Sequence, residues 1–259
     1  NQGLVVTPFT LAGAMAPVTM AGAVAQSLAE ALCAVVLAQI IRPGASCAIG
    51  TFTSNVDMKS GAPAFGTPEY MKAVLVGGQL CRKYGIPYRT SNVNAANTVD
   101  AQAAYESVFS LWALTQAGGN FIMHSAGWME GGLHASLEKF VLDADLLAMV
   151  ADYLEPIVVD ESTLAFEAIQ EVGPAGHFFG TQHTQDRFRD AFYKPMISDW
   201  RNYESWQEGG SPTAVTKTTE LAKTWLEAYR TPAIDETAHE ELKAFVQRRV
   251  SEGGVATDF

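Results

Sequence analysis

Short apolar runs alternate with longer stretches of mixed character through the first 155 or so residues of this chain. Leu4-Val5-Val6-Thr7-Pro8-Phe9 predicts a buried strand. After Gly13 and Pro17, a helix of small residues runs through Ile41. Arg42-Pro43-Gly44 stops it, because a terminal cation, a proline and a glycine each disfavour continuation. Ser46 to Phe52 predicts a second strand, followed by a polar loop with Asn55, Asp57 and Lys59. Thr67-Pro68-Glu69 reads as an N-cap with proline at the first helical position, and its helix runs to about Tyr84. Gly85-Ile86-Pro87 leads into a third strand, Tyr88 to Val93, and a loop from Asn94 to Thr98. Asp100 caps a helix over about 101–117, Gly118-Gly119 ends it, and Asn120 opens a fourth strand.

Strand starts near residues 4, 46, 87 and 120 are about 42, 41 and 33 residues apart, one βα unit each. The strands are near-continuous apolar runs, which predicts parallel strands buried on both faces. A helix follows over about 135–153. Pro156-Ile157-Val158-Val159 fits either a fifth strand or an extended lead into a helical stretch, 160–172, stopped by Gly173-Pro174. Residues 177–206 are aromatic, charged and loop-like. Two charge-alternating helices, about 213–230 and 237–252, close the chain. The expected division is therefore 1–160, βα units, and 161–259, a helical region packing on them.

An open doubly wound sheet and a TIM barrel both fit repeated βα units. The phosphate signatures of the open sheet are missing: there is no G-x-G-x-x-G after the first strand and no G-x-x-x-x-G-K-[ST]. Each strand instead ends in polar residues, at Thr10, Thr51 to Asn55, Ser91 to Asn94 and His124 to Glu130. Several strand ends contributing to one site is the barrel arrangement. The densest junction is Asn120 to Leu137, where an apolar strand enters a cluster of His124, Gly127, Trp128, Glu130, Gly131 and Gly132 and then a helical pattern. Four or five units are too few to close an eight-stranded barrel.

The net charge of −11 argues against nucleic acid or an anionic membrane as partner. Within residues 1–50 only Glu30 and Arg42 are charged, so a membrane span at Gly22 to Ile41 must be weighed. Gln26, Ser27, Glu30 and Gln39 interrupt it, which favours a mostly buried helix of a soluble, cytoplasmic protein. Cys33, Cys47 and Cys81 have no metal or redox spacing and read as buried thiols in a reducing compartment. Cys47 lies within a strand and has no base at a recognisable spacing. His177 and His183 flank Phe178-Phe179-Gly180 without a third ligand nearby, so no metal site is expected.

The segments Leu11-Ala12-Gly13-Ala14-Met15-Ala16-Pro17-Val18-Thr19, Val99-Asp100-Ala101-Gln102-Ala103-Ala104-Tyr105-Glu106 and Ser125-Ala126-Gly127-Trp128-Met129-Glu130-Gly131-Gly132 resemble the trimethylamine methyltransferase (MttB) superfamily. So do Glu171-Val172-Gly173-Pro174-Ala175-Gly176-His177-Phe178 and His183-Thr184. The resemblance covers essentially the whole chain in order, but only the C-terminal half or more of a family member. It implies an α/β fold, a TIM (β/α)8-type barrel of which this chain supplies the later βα units plus C-terminal helices. An N-terminal cap and the first strands would then precede Asn1, and that missing half, or another chain, would cover the open sheet edge.

The family resemblance further implies methyl transfer from a methylated amine to the Co(I) of a separate corrinoid protein. Founding members act on trimethylamine and carry pyrrolysine in the barrel; most others lack it, and those characterised demethylate quaternary amines such as glycine betaine. This chain has no pyrrolysine, and the Gly131-Gly132 neighbourhood is the nearest equivalent. It therefore resembles a non-pyrrolysine member acting on a quaternary or tertiary amine such as a betaine. The alternatives are trimethylamine-type demethylation and an inactive betaine-binding or scaffold homologue. No D-x-H-x-x-G pattern supplies a histidine to cobalt, so the methyl-accepting corrinoid (cobalamin) is expected on a partner, with no cofactor bound tightly here. A homo-oligomer is expected.

For such a reaction the chain must hold a methylated cation, and aromatic faces do this at about 0.5–2 kcal/mol each. Phe52, Trp128 and Phe9 are the candidates for that contact, Phe9 and Phe52 also reading as core. Glu130 and Asp57 are candidates to balance the charge, and Asn92, Asn94 and His124 to hold a carboxylate tail. Glu130 equally suits the N-cap or dipole partner of the following helix. The catalytic residues stay unassigned.

Overall fold

The computed structural model describes residues 2–253. Four short strands, β1 (Leu4–Val6), β3 (Cys47–Gly50), β6 (Tyr88–Ser91) and β7 (Phe121–Met123), form one parallel sheet in that order. Between them lie β2 (Leu11–Ala12) and the helices α1 (Met20–Ile41), α2 (Pro68–Tyr84) and α3 (Ala101–Gln116), with β4 (Ser54–Val56) and β5 (Pro63–Ala64) inserted after β3. Each strand lies beside the one from the preceding unit, as Val6 opposite Ile49, Gly50 opposite Arg89, and Arg89 opposite Phe121. The order never reverses, so the sheet has no switch point of the doubly wound kind.

Local chemistry explains the helix limits. Thr67 Oγ1 accepts from the Tyr70 amide with Pro68 at the first turn, and Gly85 ends α2 with φ of 65°. Asp100 accepts from the amides of Gln102 and Ala103 to start α3. α4 (Leu137–Leu154) is capped by Ser136, whose hydroxyl accepts from the Lys139 amide. This corrects the reading of Glu130 as the N-cap: it sits six residues too early and pairs with His134 instead, 2.8 Å away. That pair spans the hairpin of β8 (Trp128–Met129) and β9 (His134–Ala135), joined by a 3₁₀ turn over Glu130–Gly132.

One face of the sheet is covered. Ile49 and Tyr88 pack with Tyr70, Val74, Leu111 and Leu114 of the helix layer, with Val6 and Ile122 against them. The alternate positions Val5, Phe121 and Met123 are exposed, and neither β1 nor β7 has a second neighbour among the described residues. Burial on both faces is thus met at the inner strand β6, all four residues of which are buried, and fails at the outer strands β1 and β7. Strand β1 is correspondingly half exposed rather than buried. Helix α1 also departs from expectation: among its 22 residues Ala23, Val24, Ser27 and Ala31 are buried, whereas Val36, Leu37, Ile40 and Ile41 face outward. It packs mainly on α2 and the first strands, and a single stripe is covered. By length and composition alone it is long and apolar enough to cross a membrane. Cys81 is buried, Cys47 half-buried and Cys33 exposed, so the expectation of three buried thiols fails at Cys33, which lies on α1.

The polar loop expected after β3 contains two strands: β4 pairs with β2 in parallel and with β5 as a hairpin. Residues 156–159 form no strand and are exposed. The helical stretch beyond them is two pieces, α5 (Glu161–Leu164) and α6 (Phe166–Val172), broken at Ala165 in the left-handed region. The aromatic segment 177–206 carries α7 (Gln182–Arg187) and α8 (Tyr203–Glu208). Asp145 on α4 anchors this segment, accepting from Tyr193 Oη at 2.9 Å and the Met196 amide at 2.9 Å. α9 (Ala214–Ala228) follows. Contacts divide the chain into a unit ending at Ala222 and a second beginning at Lys223. In the second unit, α10 (Glu236–Ser251) is capped by Asp235 and carries Arg248 and Arg249 in its last turn, where cations complement the helix dipole.

Candidate functional site

The tips of all four parallel strands contribute to one aromatic and cationic cluster. Phe52, just past β3, lies 5.2 Å from Phe9, past β1, and 5.0 Å from Phe65. Its ring also meets His124, past β7, at 6.1 Å and 81°, and His124 meets Trp128 edge-to-face at 4.9 Å. From β6, Arg89 lays its guanidinium over the Phe52 ring at 5.6 Å. Its Nη2 is 3.3 Å from His124 Nδ1, and Ser91 Oγ is 3.4 Å from the same nitrogen. Two donors on Nδ1 leave the proton on Nε2, the tautomer this network favours.

Arg89 is the residue that reading the sequence missed. It is only 4% exposed, yet among the described residues its Nε and Nη1 have no hydrogen-bond partner. A buried unpaired donor costs about 1–3 kcal/mol, and more when charged, so an acceptor from beyond these residues would relieve it. Burial lowers its pKa, with Tyr70 and Tyr88 opposing, but a guanidinium stays protonated. The neighbouring strand makes room for it: a Cβ on Gly50 would stand 2.3 Å from Thr7 Oγ1 and 2.8 Å from Arg89 Cδ. The available signal was a cation inside an otherwise uncharged strand flanked by Tyr88 and Thr90.

The surroundings of His124 favour its neutral form. Burial lowers its pKa first, and the adjacent Arg89 cation lowers it further. Its backbone lies in the left-handed region, φ 52°, as does that of Glu130, φ 50°. Such non-glycine residues cost of order 1–3 kcal/mol each and persist only where the surroundings over-determine them.

The remaining candidates divide. Asn92 is buried at the β6 tip, donating to the Ser125 carbonyl at 3.0 Å and so tying that tip to the segment after β7; its Oδ1 has no partner among the described residues. Asn94 is fully buried but occupied, donating to the Ala103 carbonyl and accepting from Ser107. Asp57 is exposed at the β4–β5 turn, where bonds from Ser60 and Lys59 lower its pKa; it makes no recorded contact with the cluster. Glu130 is exposed and pairs with His134, again without a recorded contact to the aromatic rings. Phe9, Phe52, His124 and Trp128 are therefore brought together, with Asn92 beside them.

A cavity of about 630 Å³ is bounded by Glu161, Phe166, Glu171, His183 and Arg187 and includes none of these residues. His183 faces the Ser162 carbonyl there at 3.2 Å. Among the described residues no three His, Cys, Asp or Glu side chains are grouped to hold a metal ion.

Fold and cluster together define an α/β protein whose parallel strand tips present a buried arginine to a ring of aromatic groups. The chain belongs to the trimethylamine methyltransferase (MTTB) family, whose model matches residues 1–254. It is 35% identical to a glycine betaine methyltransferase of Desulfitobacterium hafniense, strain Y51, over 98% of this chain and 53% of that protein. It is 31% identical to the trimethylamine methyltransferase MttB of Methanosarcina barkeri, over 94% of this chain and 49% of that protein. The chain thus spans about half the length of the curated relatives it matches.

Proposed function

We propose that this chain belongs to an enzyme that moves a methyl group from a betaine, a quaternary amine bearing a carboxylate, to the Co(I) of a separate corrinoid protein. Its parallel sheet is read as the later strands of a TIM barrel, with the cluster at the C-terminal ends where barrel sites lie. The observation that carries the reading is Arg89, a buried cation with two unpartnered nitrogens between Phe52 and His124.

A simple cation is a poor occupant of such a site. A quaternary or protonated tertiary amine at about 5 Å from an unneutralised guanidinium meets about 3 kcal/mol of repulsion at an effective dielectric near 20. A zwitterion turns this to attraction. Its carboxylate accepts from the Arg89 guanidinium, and its methylated ammonium reaches the aromatic faces of Phe52 and Trp128. His124, kept neutral, adds no second positive charge and accepts from Arg89. Asp57 and Glu130 lie outside this arrangement, and Asn92 braces the strand tips.

The chemistry asks little else of the protein. A quaternary ammonium already carries a good leaving group, because the C–N bond breaks with its electron pair returning to a neutral tertiary amine. A Co(I) centre brought by the partner would supply the electron pair that takes the methyl carbon; this chain need move no proton and supply no general acid. The cluster's contribution is orientation of the donor methyl, the largest saving available to a bimolecular displacement.

Relatives named for trimethylamine keep a second reading open, demethylation of a tertiary amine, and an inactive betaine-binding homologue is a third. The intact protein incubated with a Co(I) corrinoid protein and a panel of methylated amines decides among them. Methyl-Co(III) appearing with a betaine supports the proposal. Its appearance with trimethylamine alone supports the second reading, and binding without turnover the third.

A further inference from the structure

Behind the aromatic cluster lies a buried ion pair that the proposed chemistry does not use. Lys139 and Asp143 stand one turn apart on α4, both 0% exposed, with Nζ 2.5 and 2.6 Å from the two carboxylate oxygens. Such a pair is a weak source of stability, because desolvation offsets most of its attraction. Its partners are more informative. Asp143 Oδ2 accepts from the Gly127 amide at 2.8 Å, one residue before Trp128. Ser107 Oγ, on α3, lies 2.7 Å from Asp143 Oδ1, 2.8 Å from Lys139 Nζ and 3.1 Å from Asn94 Oδ1. The Asn94 carbonyl in turn accepts from the Gly131 amide at 2.7 Å. One buried polar chain therefore grips the segment 124–132 at two places and ties it to the loop after β6.

That segment needs an external hold. His124 and Glu130 have left-handed backbones, and Gly127, with φ of 88°, sits so close to α4 that a Cβ would stand 3.3 Å from Phe140 Cβ. Its local ties are the short β8–β9 pairing and the Glu130–His134 pair, which leave residues 124–127 without a hold of their own, and it carries two of the rings of the cluster.

We propose that the Lys139–Asp143 pair, with Ser107 and Asn94, is a positioning element that pre-sets the 124–132 segment so that His124 and Trp128 face Phe52 and Arg89 before substrate arrives. The role assigned to those rings rests on the betaine reading above; the hold on the segment does not. Asn94 then acts at second hand, through the backbone, rather than on a carboxylate.

The test replaces the pair by apolar groups in the intact protein, Lys139→Met with Asp143→Leu, a type of exchange that folded proteins tolerate. Amide exchange is followed by mass spectrometry in peptides covering 124–133 and, as control, α2. Glycine betaine affinity is read by calorimetry. We expect a cooperative melt, exchange at least tenfold faster in 124–133 with α2 unchanged, and affinity at least tenfold weaker. Unchanged exchange in 124–133, or exchange rising equally in α2, overturns the inference. Should the double variant not fold, Asp143→Asn is read by the same two peptides with the same deciding outcomes. If the unaltered protein binds no betaine while the local exchange rises as expected, the substrate reading fails and the hold on the segment stands.

Discussion

Replacing Arg89 by methionine should move binding and stability in opposite directions. Methionine follows the path of the arginine stem past Gly50 and keeps an apolar contact with Phe52, but it removes the guanidinium. A charge-assisted hydrogen bond contributes about 1.5–3 kcal/mol, so loss of the carboxylate fork should weaken betaine binding by about 10- to 150-fold. Without ligand, the same change removes two buried nitrogens that have no partner among the described residues, each costing about 1–3 kcal/mol. Arg89→Met should therefore melt no lower than the unaltered protein and up to several degrees higher. Arg89→Lys should not rescue binding, because a point charge lacks the planar fork. Calorimetry with glycine betaine and ligand-free thermal melts are the assays. Unchanged affinity together with a stability loss above about 2 kcal/mol would refute the reasoning, since Arg89 would then be a structural cation with partners of its own.

Betaine affinity should be full at neutral pH and fall as pH drops through the lowered pKa of His124, because the imidazolium loses its acceptor for Arg89 and adds positive charge beside the ammonium; His124→Asn should abolish that acid limb. The same shift has a stability consequence. The unfolded histidine protonates near its ordinary value of about 6.5 while the folded one resists, so stability declines as pH falls below that value, as melts at pH 7 and 5 would register. Phe52→Leu should weaken glycine betaine by about 2- to 30-fold yet scarcely alter the uncharged isostere 3,3-dimethylbutanoate, in a paired calorimetric titration; equal losses would remove the cation–π contribution. Gly50→Ala should lower stability by about 1–3 kcal/mol and displace Arg89, reducing affinity at least tenfold, because the added methyl occupies the space of Thr7 Oγ1 and Arg89 Cδ. Asp57→Asn should leave affinity unchanged, as its carboxylate closes the β4–β5 turn.

Helix limits were the most legible part of this fold, because they are set locally: Thr67-Pro68, Asp100 and Arg42-Pro43-Gly44 each mark a boundary that the structure reproduces within a residue or two. Three of the four parallel strands were also readable from their apolar runs, though each is shorter than its run; β6, Tyr88-Arg89-Thr90-Ser91, has no such run and was marked by the Gly85-Ile86-Pro87 lead before it. The β4–β5 hairpin was hidden, because its pairing follows from Asn55 and Val56 meeting Ala64 and Pro63 rather than from any apolar pattern. Which sheet face is covered depends on neighbours that no local window contains. The same limit applies to the site. Phe52, His124 and Trp128 stood out as strand-end residues, whereas Arg89 acts from inside a strand and Lys139 from inside a helix. Asp57 and Glu130 looked equivalent to true strand-tip groups by type, but a turn bond and a local ion pair account for each.

The most direct test of the account is a crystal structure of the intact protein with glycine betaine bound. The carboxylate should lie on the Arg89 guanidinium and the trimethylammonium against Phe52 and Trp128, with a methyl group turned toward solvent at the strand ends. Betaine bound away from Arg89, or with its ammonium toward the guanidinium, would contradict it.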